Sequence, residues 1–422
     1  MFPRPRPASV ITMAVVALAF GACTAATPLS PSAPTGTGYS SACVASPKTY
    51  TDRAAAAPLT GAMPASLAGA LDRAAVAAIA STQQPGSTAS TQAPGTIVAV
   101  RSPDGTWVKA YGMADTAGKT PMTADLHHRI ASVTKSFTAT AVMQLIAEGK
   151  LSLGDHVSAY VSDVPRGDQI TLGDLIVMRS GIADYFDSFL PTWIANSTVA
   201  YTPDQMLAVG YAQPPLFAPD AGFDYSNSNY LLLGKIIEKV TGQSLAYELT
   251  TRILRPLGLT GTSWPGDSAT LPEPHGHGYS SVIAVNGVVQ GTPDGSLVDT
   301  TNFNPAWSGA AGEMIGTVED LLVYGRAVGT GQGLLSSSAQ IDRLSSFRPG
   351  WTAAAQYGQG LICRSGWVGH GGDTLGFHTD MYYNGDIDTT VVVLLNRYPT
   401  YQSQSILSAL ATTLGKPIAP LD

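Results

Sequence analysis

Ser132-Val133-Thr134-Lys135 heads a segment in which apolar residues recur at Val133, Phe137, Ala141 and Leu145, with Val142 and Ile146 beside them. That spacing predicts an amphipathic helix with Gly149 as its stop. Residues three apart share one helix face, so the Lys135 amine lies within reach of the Ser132 hydroxyl. A serine at a helix N-terminus also has backbone N–H groups nearby that can stabilise an oxyanion. Four residues thus supply a nucleophile, an adjacent base and part of an oxyanion hole. By itself, Ser-x-x-Lys also describes an N-cap serine followed by a solvated lysine, so the rest of the chain has to decide.

Two further motifs lie downstream. Tyr225-Ser226-Asn227 sits in a polar turn before a helix expected over 230–240 and closed by Thr241-Gly242. Its phenol and amide can both enter one cleft. The phenol can relay a proton if nearby cations lower its pKa, and the amide can bind a substrate carbonyl or amide. A turn with an N-capping residue is the plainer account of the same letters. Val368-Gly369-His370-Gly371-Gly372-Asp373 precedes the late strands. Such a run lets substrate lie against a strand backbone. Its N–H groups can complete an oxyanion hole, and His370 offers a positive or hydrogen-bonding group. A bulged strand entry is the structural alternative.

The surrounding pattern predicts a helix at 65–79 and two strands at 96–100 and 107–111, joined by the hairpin signal Ser102-Pro103-Asp104-Gly105. Residues 150–280 read as mainly helical with many turns. Strands follow at 377–383 and 389–396, turning at 384–388 around Gly385, and a last helix spans 402–414. This order predicts an α+β fold. Its α/β layer has an antiparallel sheet drawn from both chain ends, and a mainly helical block at about 140–280 is inserted in it.

The three motifs, in this order and spacing, resemble the serine β-lactamase and penicillin-binding superfamily, and within it the branch of D-alanyl-D-alanine carboxypeptidases, class C β-lactamases and related esterases. That family carries Ser-x-x-Lys, then Tyr-x-Asn, then Lys-Thr-Gly or a His-Gly variant. Residues 171–182 (TLGDLIVMRSGI) are similar to its "LLxHTSGL" segment. Residues 232–242 and 253–258 match the helices after Tyr-x-Asn, and 310–317 with Asp320-Leu321 match a second glycine-rich segment. The likeness runs from about 64 to 415. It implies a β-lactamase/transpeptidase-like fold with Ser132 as the acylated nucleophile, Lys135 as its base partner and Tyr225 as the proton shuttle. Asn227 would contact the substrate amide. His370, in place of the third-motif lysine, would recognise a substrate carboxylate. Gly371, Gly372 and Asp373 would line the substrate strand, with the N–H groups of Ser132 and Asp373 as the oxyanion hole. Whether Lys135 or Tyr225 is the acylation base stays open. Trp307 is expected either to line the cleft or to be a packing tryptophan.

The chain has 422 residues and a net charge of −7, with 13% charged residues and 44 glycines. That is enough for a large core with many loops, and no long basic run invites nucleic acid. Arg4 and Arg6 ahead of the apolar run 10–20 read as a secretory signal peptide over 1–23. Leu18-Ala19-Phe20-Gly21-Ala22-Cys23 resembles a lipobox with phenylalanine where leucine is usual. Cys23 is therefore either lipidated, as a membrane anchor, or lost by cleavage near Ala25 or Ala26. Residues 24–62 read as an export linker, and 63–415 as the hydrolase body. Either cleavage leaves Cys43 and Cys363, which could pair or stay apart as buried thiols. His275-Gly276-His277 with Glu273 could ligate a metal but reads better as a loop, and the chemistry needs no cofactor. Neither Gly-x-Ser-x-Gly nor His-Glu-x-x-His is present.

These readings lead to an exported monomeric serine hydrolase of the cell envelope, acting on peptidoglycan stem peptides as a D-alanyl-D-alanine carboxypeptidase. β-Lactam hydrolysis, esterase or D-amino-acid amidase action on small substrates, and a catalytically silent penicillin-binding scaffold are the alternatives.

Overall fold

The computed structural model describes residues 43–55, 61–81, 92–285, 287–292, 295–352, 354–400 and 402–421. The expected signal peptide, Cys23 and most of the expected linker lie outside the described residues. Nine strands form one sheet: β1 (Gly95–Ser102), β2 (Gly105–Asp115), β3 (Thr120–Pro121), β4 (Arg348–Pro349), β5 (Ala355–Tyr357), β6 (Ile362–Arg364), β7 (Trp367–Thr374), β8 (Phe377–Asn384) and β9 (Thr389–Leu395). Their order is β4-β5-β6-β7-β8-β9-β1-β2-β3, and every pairing is antiparallel. Early and late strands meet inside it, where Thr96 pairs with Leu395 and Arg101 with Thr390. The run Thr-Thr-Val-Val-Val-Leu-Leu of β9 is buried at every position. A β-branched run without polar alternation suits a strand covered on both faces.

Helices supply the cover: α1 (Pro47–Asp52), α2 (Ala65–Ala80), α3 (Thr134–Ala147), α4 (Phe186–Ala195), α5 (Asn227–Thr241), α6 (Val318–Thr330), α7 (Ser337–Ser345) and α8 (Gln402–Thr413). On one face α6 packs on β8 and β9. A Cβ at Gly329 of α6 would come within 2.2 Å of the Tyr383 ring, so only glycine lets this helix approach so closely. On the other face α8 packs on β8 and β9, and α2 packs along α8.

Three expectations are corrected. The Ser132 helix is not amphipathic, because α3 is buried from Thr134 to Met143. It runs through the middle of the molecule, stacked on Tyr324 of α6 through Phe137 (3.6 Å between ring centroids). Its polar side chains donate to backbone carbonyls instead of facing water: Ser136 to Val133 O, Thr138 to Ala310 O and Thr140 to Ser136 O. The linker boundary at 62 also fails. Residues 43–55 belong to the body, where α1 packs on α6 and α7 and the Tyr50 hydroxyl donates to Gly366 O. There Cys43 is disulfide-bonded to Cys363 of β6, 320 positions later. The body also outlasts residue 415, since Ile418 is buried and Arg364 Nε donates to Ala419 O at 2.6 Å.

Candidate active site

The chain reaches Ser132 through a sharp turn. His128–Arg129 pair with Ile315–Gly316, Ala131 adopts φ +46°, and a single 3₁₀ turn over Ala131–Val133 leads into α3. Non-glycine residues rarely take that left-handed backbone. Here it swings Ser132 to the helix start, part-exposed, while Lys135 one turn on is fully buried. β7 packs on this turn. A Cβ at Gly372 would lie 2.3 Å from Ile130 O and 2.8 Å from Ser132 N, so the glycine is what permits the approach. The glycine-rich run is thus not an entry to a strand but the strand itself. β6 pairs only with 367–369, and 370–374 continue without a partner on that side among the described residues.

Lys135 Nζ lies 3.0 Å from Ser132 Oγ, 2.7 Å from Asn227 Oδ1 and 2.7 Å from Ala311 O. Burial pulls its pKa below the ordinary lysine value, with the nearby Asp184 carboxylate resisting. A neutral lysine amine has two hydrogens and one lone pair. Two fixed carbonyl acceptors can take the hydrogens, which leaves the lone pair for the Ser132 hydroxyl. Tyr225 approaches from the extended stretch before α5, within hydrogen-bonding reach of Ser132, and Lys135 Nζ sits 4.8 Å from its ring centre. The condition that nearby cations lower the phenol pKa is not met. Burial raises it well above 10, so Tyr225 is a neutral donor.

Asn227 opens α5. Its Nδ2 donates to Asp184 Oδ2 at 2.9 Å. Asp184, two residues ahead of α4, was not anticipated from the sequence. The only signal for it was an acid just before a helix, which is common at helix starts. Burial pushes its pKa up, opposed by bonds from Phe186 N–H and Asn227 and by the Lys135 charge. The segment 171–182 anchors this wall: Tyr230 Oη of α5 donates to Ile176 O at 2.9 Å, and Ser180 Oγ lies 2.5 Å from Asn229 Oδ1.

His370 does not face the cleft as a cation. It is buried. Its Nδ1 lies 2.5 Å from Gly371 O and must donate there, so Nε2 is the acceptor, with Tyr357 Oη at 3.3 Å. Burial, with the Lys135 charge adding to it, pushes its pKa down to about 3. Asp373 is half-exposed and paired with His378 Nδ1, while His378 Nε2 lies 3.0 Å from Asp380 Oδ2. Burial disfavours the His378 charge, but the two carboxylates outweigh it and raise its pKa to about 10.

Residues 71–412, most of the chain, match the family described as beta-lactamase. The chain belongs to that family. It is 26% identical to a penicillin-binding protein of Bacillus subtilis over 73% of this chain and 69% of that one. It is 28% identical to a D-aminopeptidase of Brucella anthropi over 68% of this chain. The match spans only 53% of that enzyme's length. Among solved structures, a D-stereospecific amidohydrolase from Streptomyces sp. superposes with a TM-score of 0.70 at 30% identity, covering 81% of this chain and 97% of that one. The protein is a serine hydrolase of the β-lactamase and penicillin-binding superfamily, with peptidase and amidase neighbours.

Other residues singled out in this family member fall away from the cleft. Trp307 is buried, packed on Trp193 (4.6 Å) and Phe186 (5.4 Å), and its carbonyl accepts from Tyr185 Oη at 3.2 Å. It is a packing tryptophan, not a cleft wall, and it holds the turn that carries Ala311. His277 Nδ1 pairs with Asp299 Oδ2 at 2.6 Å, and His275 Nε2 lies 3.5 Å from Glu273. No group of three His, Cys, Asp or Glu that could hold a metal occurs among the described residues.

Proposed function

We propose that this chain is a serine amidohydrolase that cleaves small D-amino-acid amides or amino-terminal D-residues through an acyl-enzyme at Ser132. One observation carries the choice of substrate. A carboxypeptidase must recognise a terminal carboxylate, and His370, in the third-motif position, is a buried neutral imidazole whose two nitrogens are used by Gly371 O and Tyr357 Oη. A substrate without that carboxylate loses nothing by this. The names of the D-aminopeptidase and D-stereospecific amidohydrolase relatives support the same reading.

In this reading neutral Lys135 takes the Ser132 proton as Oγ attacks the carbonyl carbon. The N–H groups beside Ser132 and on the β7 edge hold the oxyanion. Tyr225 gives its proton to the departing amine and takes back the one held by Lys135, which is neutral again. Water then hydrolyses the ester and returns the hydroxyl proton to Ser132. The Cys43–Cys363 disulfide supports an oxidising, extracytoplasmic setting, in keeping with the leader read over 1–23.

The test compares ammonia release from D-phenylalanine amide and L-phenylalanine amide with D-alanine release from a D-Ala-D-Ala-terminated tripeptide, using Ser132→Ala as the blank. Preference for the D-amide is expected. Faster cleavage of the tripeptide would return the protein to the carboxypeptidases.

A further inference from the structure

Asn227 presents two chemically different ends. Its carbonyl faces Lys135 Nζ at 2.7 Å, and its amide nitrogen faces Asp184 Oδ2 at 2.9 Å. Asp184 is itself fixed. Its Oδ1 accepts from Phe186 N–H at 3.1 Å, at the positive end of α4, and its backbone carbonyl accepts from Gln213 Nε2 at 3.0 Å. A half-turn of the Asn227 amide would set its oxygen against a carboxylate and its N–H₂ against the lysine. The flipped amide would then donate to the Lys135 lone pair and take it from Ser132.

We infer that Asp184 is a positioning residue: its carboxylate holds the Asn227 amide in one orientation and thereby keeps the Lys135 lone pair on Ser132 Oγ. This rests on the acyl-enzyme reading above but not on its substrate. The anion also favours the ammonium form of Lys135, so it sets where the base titrates as well as where it points. Lys135 is faced by Asp184, His370 and the rings of Tyr225 and Tyr230. Asp184 is faced by Lys135, Asp187, Tyr185 and Tyr225, and Asp187 acts in turn on Asp224. Among these, Asp184 is the carboxylate bonded to Asn227.

The test reads acylation by p-nitrophenyl acetate, a small ester that needs no specificity pocket, as the burst of p-nitrophenol against pH. Wild type is compared with Asp184→Asn, Asp187→Asn and Ser132→Ala. In Asp184→Asn the burst slows by roughly tenfold, the size of one hydrogen bond, and its acidic limb moves to lower pH because the ammonium has lost its counter-charge. Asp187→Asn, which leaves Asn227 untouched, keeps the wild-type rate within about twofold. A wild-type rate and limb in Asp184→Asn would overturn the inference, as would a slower burst with an unmoved limb, the mark of a merely structural role. If Asp184→Asn loses its cooperative melt, Asp184→Glu takes its place; a kept limb with a reduced rate is expected, and a full wild-type rate refutes the assignment. A wild-type protein with no Ser132-dependent burst removes the acyl-enzyme reading itself, and this inference with it. That outcome is recognisable because wild type then behaves as Ser132→Ala.

Discussion

Lys135 Nζ lies 2.7 Å from the backbone carbonyl of Ala311, on the turn that Trp307 packs into place. A main-chain atom, which no side-chain substitution removes, therefore fixes one of the lysine's two amine hydrogens. The lysine must be neutral to accept the Ser132 proton, so activity is present above its pKa and lost as pH falls through it. Burial lowers that pKa. The acidic limb of kcat/KM is expected well below the ~10.4 of a free lysine. Lys135→Arg, which cannot deprotonate, is expected to lose about 10²- to 10⁴-fold in acylation. A limb near ~10.4 would rule out the neutral-lysine base.

His370 is neutral across the working range, its pKa held down at about 3 by burial and the Lys135 charge. KM for any substrate, with or without a terminal carboxylate, should then be independent of pH between 5 and 8 as far as His370 is concerned. A KM for a carboxylate substrate that climbs through the ordinary histidine range, near ~6.5, would mean that the imidazole opens toward the cleft as a cation.

Two buried histidines should make the fold acid-sensitive. The pKa values of His128 and His370 are both pushed down to about 3, chiefly by burial. The unfolded chain binds these protons near ~6.5, and the folded chain refuses them until far lower. Their contribution is complete above ~6.5 and is lost as pH falls below it. His378, raised to about 10, has the opposite sign: its contribution is complete below ~6.5 and fades as pH rises toward 10. The melting temperature should drop between pH 6.5 and 5. His128→Gln, which keeps a donor for His378 O, should flatten that slope, and an unchanged slope would remove His128 as a cause.

The Cys43–Cys363 bridge closes a loop of 320 positions. Removing a native disulfide typically costs ~2–5 kcal/mol. The Cys43→Ala/Cys363→Ala double variant is expected to melt several degrees lower but to keep its Ser132 acylation at low temperature, because both cysteines lie outside the site. Differential scanning calorimetry beside the acylation burst checks both halves. Loss of acylation in a protein that still melts cooperatively would show that β6 transmits strain to β7.

Much of the fold was legible because its signals are local. The hairpin at Asp104-Gly105, the β-branched run of β9 and the glycine closing α5 each act over a few residues. Ser132, Lys135, Tyr225 and Asn227 were legible by spacing, and the fold gathers them around one amine. What escaped depends on direction or on distant partners. The letters of His370 do not say which way an imidazole turns, and Tyr357 and the Gly371 carbonyl decide that. Asp184 lies 43 positions from the amide it holds. The Ala-, Ser-, Thr- and Pro-rich stretch 24–62 hides the cysteine and the tyrosine, Cys43 and Tyr50, that pin 43–55 to the body. The Ser132 helix misled for a related reason: its serine and threonines look solvated until their backbone partners are known.

The sheet also constrains when the protein can fold. β1 and β9, paired at Thr96 and Leu395, are neighbours inside the sheet although far apart in sequence, so the sheet cannot close between them until β9 has been made. Such long-range pairing is intrinsically slow. Until β9 is made, β1 is paired only with β2, and the two parts of the sheet stay unjoined.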